Sequence, residues 1–189
     1  MPSIQRRHLF SFLLAAGVAS ASGAGCYGGA AGDGGSAGGG GTADSGPDPW
    51  SAPVGCASGA HYVGGANSRM EPGVACVSCH TQSGEGPVGI LGTAYASAHD
   101  EDRCNGIAGS AYGDAYISVL DDQHVEVAQL PINAVGNFMG NEPASATYYV
   151  ALVANGQTRE MAMAVPSGDC NSCHTQDGAV GAPGRILVP

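Results

Sequence analysis

Thr147-Tyr148-Tyr149-Val150-Ala151-Leu152-Val153-Ala154-Asn155-Gly156-Gln157-Thr158-Arg159-Glu160-Met161-Ala162-Met163-Ala164 is the stretch whose pattern decides the fold class. Two β-rich runs flank Asn155-Gly156, a dipeptide that favours a type I′ turn because both residues tolerate positive φ. The turn fixes a register: Ala154 faces Gln157, so Leu152 pairs with Arg159, Val150 with Met161 and Tyr148 with Met163. Tyr148, Val150, Leu152, Met161 and Met163 then share an apolar face turned toward a core. Thr158 and Glu160 point away.

The same alternation extends outward. From Val88 onward, short β-rich runs separated by turn residues predict strands over 89–97, 115–120, 124–130, 147–154, 157–164 and 185–188. No amphipathic helix is expected. The segment 92–163 resembles carboxypeptidase regulatory-like and other immunoglobulin-like β-sandwich modules. The matching pieces are Gly92-Thr93-Ala94-Tyr95, the 115–121 strand, Asn133-Ala134-Val135-Gly136-Asn137-Phe138 and 148–156. The resemblance implies a mainly β fold built as a single immunoglobulin-like β-sandwich. Where those modules have a short loop, this chain inserts 100–112 with Cys104, which leaves strand order open. A fold of this kind specifies no activity.

Chemistry enters with a repeated heptad. Cys76-Val77-Ser78-Cys79-His80-Thr81-Gln82 and Cys170-Asn171-Ser172-Cys173-His174-Thr175-Gln176 agree at six of seven positions. Both resemble the haem-attachment motif of c-type cytochromes. The resemblance implies two haem c groups, with thioethers from Cys76 and Cys79 and from Cys170 and Cys173, and with His80 and His174 as axial iron ligands. The haem-binding loops would lie at the N- and C-terminal ends of the sandwich, and each motif is expected to be self-contained. A zinc centre built from both motifs would offer four cysteines and two histidines, more than tetrahedral zinc takes. A dithiol redox pair would need a βαβ context that the chain does not show.

Distal ligands must come from elsewhere, because no His or Met follows His174. His99 is the first candidate, followed by Met70 and His61. Met161, Met163 and Met139 have a simpler role as core residues. His124, beside an Asp-rich turn, is expected to be solvated.

The N-terminus has the pattern of an export signal over 1–25: Arg6, Arg7 and His8 precede an apolar run too short to span a bilayer. Two processing sites compete. Ala19-Ser20-Ala21 suits ordinary cleavage, and Gly23-Ala24-Gly25-Cys26 resembles a bacterial lipobox without its usual Leu. The Gly-rich tether at 26–53 cannot bury enough apolar surface to order itself, which favours an anchor on Cys26. With Cys26 lipidated, Cys56 and Cys104 remain to form a disulfide in an oxidising compartment. The domain proper is 54–189.

Charge narrows the partners. The chain has no lysine and six arginines against sixteen carboxylates; loss of the first 25 residues leaves four arginines and a net charge of −12. Nucleic acid is excluded as a partner on these grounds. The expectation is an exported electron carrier, lipid-anchored at the periplasm or cell surface, that exchanges electrons with envelope redox proteins. A lipid-anchored binding or adhesion module with structural haem or metal is the alternative. No acid–base constellation supports an enzyme.

Overall fold

The computed structural model describes residues 48–64, 69–84, 89–141, 147–165 and 167–189. The expected signal segment at 1–25, Cys26 and residues 27–47 of the expected tether lie outside the described residues. The deciding hairpin forms as its turn requires: Asn155 and Gly156 sit at φ 50° and 74°. They join β5 (Tyr149–Ala154) to β6 (Gln157–Glu160), with Ala154 opposite Gln157 and Leu152 opposite Arg159. The register then departs from expectation. The Met161 N–H still donates to the Val150 carbonyl at 2.9 Å, but Tyr148 pairs with Val165, not Met163. The two extra residues are taken up as an irregular segment, and Met163 is left 45% exposed.

The fold is mainly strands in two sheets. β2 (Tyr116–Leu120) lies between β5 and β3 (Glu126–Pro131), giving a four-stranded sheet in the order β3-β2-β5-β6. The second sheet has three strands, ordered 137–139, 91–95, 186–187. In it β1 (Leu91–Tyr95) pairs antiparallel with β4 (Asn137–Met139) and parallel with β7 (Ile186–Leu187). One core draws on both sheets: Ile90, Ala94 and Phe138 from the smaller meet Ile117, Val119, Leu130 and Leu152 from the larger. This shared burial is what holds the sheets together.

β1 is the strand that matters for the site, because all five of its residues are buried. One face, that of Gly92 and Ala94, meets the core and with it Cys170; the other receives, at Thr93, Gly73 and Asn171 from the segments that carry the two motifs. Gly92 makes the close approach possible, since a Cβ there would meet Phe138 Cζ at 2.6 Å and Cys170 Cβ at 2.9 Å. The one α-helix among the described residues, α1 (Cys76–Ser83), was not expected and carries the first motif. Among the described residues, no helix is long and apolar enough to cross a membrane.

Cys56 and Cys104 stand at disulfide distance, S–S 2.14 Å, tying the segment before the first motif to the inserted loop across 48 residues. Such a closure is worth roughly 2–4 kcal/mol. Ordered contacts begin upstream of residue 54: Asp48 caps a short turn at Pro49–Ser51, and the Trp50 carbonyl accepts from His99.

Candidate functional site

In α1 the residues three and four apart share a face, so Cys76, Cys79 and His80 come together. Cys79 is exposed, Cys76 is half-buried and His80 is buried. The helix ends at Gly84, whose φ of 75° lets its N–H reach the His80 and Thr81 carbonyls. Its beginning is capped from far away in sequence. The Asp169 carboxylate accepts from the Cys76 N–H at 3.2 Å and the Val77 N–H at 3.0 Å, doing for α1 what a local cap residue normally does.

Asn171, two residues further on, completes the junction. Its side-chain oxygen accepts from the Thr93 N–H at 3.0 Å, and its amide donates to the Val74 carbonyl at 3.0 Å and the Thr93 hydroxyl at 3.1 Å. The same amide lies 3.6 Å from Cys76 Sγ. The Thr93 hydroxyl also accepts from the Gly73 N–H and donates to Asn137 Oδ1 at 2.6 Å. Asn137 in turn donates to the Arg69 and Met70 carbonyls. This polar string runs from the second motif through β1 and β4 to Met70, so the motifs are not self-contained.

A cavity of about 280 Å³ opens beside α1, lined among others by Met70, Cys76, Cys79, His80, Phe138 and Met139. Met70 is held at φ 59°, a left-handed conformation costly for an unbranched side chain and kept by the Asn137 bonds. Burial, with the Asp169 carboxylate next in weight, pushes the Cys76 thiol up to about 12, so it is a neutral thiol at physiological pH.

The second motif is arranged differently. Its short 3-10 turn, Cys170–Ser172, packs on β1, and Cys170 belongs to the hydrophobic core. Burial pushes the Cys170 thiol up to about 12, with Cys76 the next cause. Cys173 is buried and disulfide-bonded. His174 Nδ1 donates to the Gly184 carbonyl at 2.9 Å, which leaves Nε2 with the lone pair, the arrangement a metal-ligating histidine requires. Burial lowers the pKa of His174, with the Gly184 bond opposing it.

Of the distal candidates, Met70 is brought to the first motif and the other two are not. His99 lies near the second motif, but its Nδ1 and Nε2 face the Gln176 and Trp50 carbonyls. Both nitrogens must donate there, so in this conformation the ring has no lone pair for iron. Those two carbonyls, Gln176 first, raise its pKa above the ordinary 6.5. His61 is on the surface, 3.3 Å from Glu101. Met161 is half-buried on the hairpin, and Met139 lines the first cavity while more than half exposed. His124 is exposed, bonded to Glu160 at 2.8 Å and stacked on Tyr149.

Sequence reasoning missed Arg185. It is fully buried, with its guanidinium 5.1 Å from the Tyr95 ring centroid. It donates to the carbonyls of Asp100 at 2.8 Å, Gly73 at 3.1 Å and His174 at 3.2 Å, and pairs with Asp102 at 2.6 Å. One side chain thus touches the approaches to both motifs. Its only sequence signal was the scarcity of arginine. Asp169 and Asn171 had none, since their partners are more than seventy residues away.

Among the described residues, no group of three or more His, Cys, Asp or Glu side chains is placed to hold a metal ion. No family model, curated protein or solved structure matches the chain.

Proposed function

We propose that this chain is an exported c-type cytochrome that passes electrons at the cell envelope, with its two sheets forming an immunoglobulin-like sandwich as scaffold. The supporting observation is the placement of Cys76, Cys79 and His80 on one face of α1 beside an apolar cavity that also contains Met70. These residues fit haem: Cys76 and Cys79 would hold it through their thiols, and His80 and Met70 would supply nitrogen and thioether ligands to its iron. The second motif fits in its histidine, whose Nε2 is set up by the Gly184 bond, but its cysteines do not fit as the chain is folded, because Cys170 is buried in the core and Cys173 is disulfide-bonded.

When bound, haem supplies the one-electron chemistry. The chain orients His80 by helix geometry, holds Met70 through Asn137 and shields the cavity with Leu91 and Phe138. Its acidic surface suits a basic redox partner, and acylation of Cys26 would keep it at the membrane. A second proposal, a lipid-anchored binding or adhesion module, draws on the exposed Val127 in the outer strand β3 and the exposed Val125 just before it.

The deciding experiment is intact mass with a pyridine haemochrome spectrum of protein made in cells that possess haem-attachment machinery. Covalent haem with a Soret band is expected, and Met70→Ala should convert the first-motif haem to high spin. Absence of covalent haem defeats the cytochrome proposal and leaves the binding module.

A further inference from the structure

The geometry points to unequal motifs: in the folded chain haem attaches only at Cys76 and Cys79, and the 170–174 motif serves as a clamp that shapes that first site. This rests on the cytochrome proposal and refines it.

Each thioether forms by addition of a thiol S–H across a vinyl C=C. The new bond is S–C, the hydrogen goes to the other vinyl carbon, and no electrons are gained or lost. The requirements are therefore a free S–H and access: the vinyl group must reach a reduced sulfur. At the first motif Cys79 is exposed and Cys76 stands at the cavity. At the second, Cys170 and Cys173 are 8% and 7% exposed, and Cys173, being disulfide-bonded, has no S–H to add. Cys170 is packed against Gly92 and Phe138, so reaching it means breaking the core along β1.

The other side chains of the second segment are already committed to the first. Asp169 caps α1, and Asn171, 2% exposed, ties Val74, Thr93 and Cys76 together. Opening the 170–174 motif to admit a macrocycle would pull these groups off the first site. Haem can reach Cys170 and Cys173 only in a chain that has not yet closed.

The test uses the full chain, folded with its disulfides intact and given ferrous haem without oxygen, with adducts located by peptide mass. One haem on the Cys76–Cys79 peptide is expected, whereas the urea-unfolded, thiol-reduced chain should gain adducts at both motifs. Iodoacetamide on the folded chain should modify Cys79 at least ~100-fold faster than Cys170. Asp169→Ala and Asn171→Ala, which leave every thiol in place, should reduce first-motif loading several-fold and speed alkylation of Cys170. If either variant fails to fold, Asp169→Asn, which keeps one acceptor oxygen, should give an intermediate effect.

Two haems on the folded chain, or an adduct on Cys170 and Cys173 alone, would overturn the proposal. So would loading that ignores Asp169→Ala and Asn171→Ala. A chain that takes haem in neither state, nor in cells with attachment machinery, overturns the cytochrome proposal itself and this one with it.

Discussion

His99 shows how tertiary contacts reassign a residue. As a histidine at the start of a polar loop it is a natural candidate ligand, yet the fold places a backbone carbonyl at each ring nitrogen. Both contacts favour the imidazolium, with Asp177 adding a smaller push in the same direction. Its folded pKa therefore lies above its unfolded value near 6.5. By linkage the contact stabilises fully below about 6.5 and is lost as pH rises through the folded value. Urea midpoints measured from pH 5 to 9 should show wild type losing stability relative to His99→Asn across that interval. Parallel profiles would show that the carbonyls do not bind an imidazolium. Gly92 is a second case: its lack of a side chain reads as nothing in sequence, but it lets Cys170 and Phe138 meet over β1.

Elements were legible where the signal was local. Asn155-Gly156 carries its own turn preference, and β5, β6, β2 and β3 follow from alternation around it. A Cβ at Gly156 meets nothing within 4 Å, so Gly156→Ala tests φ alone. It should cost about 1 kcal/mol in urea unfolding, with the same slope as wild type. β6 stopped early because the turn controls register only while the ladder continues, and the ladder ends at Glu160. α1 escaped notice because it is eight residues long and its special face consists of two cysteines and a histidine, not aliphatic residues. Its capping charge arrives from Asp169, which no local window contains.

At the scale of the whole molecule, the two motifs lie over one strand, pinned by a polar string through Thr93 and by Arg185, both of which bond Gly73. Arg185 has no exposure, while its partner Asp102 is 66% exposed, so the guanidinium bears most of the desolvation cost. That cost is offset by the Gly73, His174 and Asp100 carbonyls and by the Tyr95 ring. Arg185→Met would leave those carbonyls unpaired and should destabilise the fold by about 3–5 kcal/mol. Thermal or urea unfolding reads this directly, and a loss below 1 kcal/mol would show that water replaces the guanidinium.

The sequence by itself determined the β class, the hairpin register as far as Arg159, the Cys56–Cys104 pair and the two chemically loaded heptads. Each of these depends on short-range preference or on counting. Only the tertiary structure decided that Met70 joins the first motif, that His99 and His61 are engaged elsewhere, and that Cys170 faces a core. It also decided that Asp169 and Asn171 serve α1. These facts depend on groups tens of residues apart meeting over β1, and a hydrogen bond or a buried thiol acquires its partner only when the whole chain has closed around it.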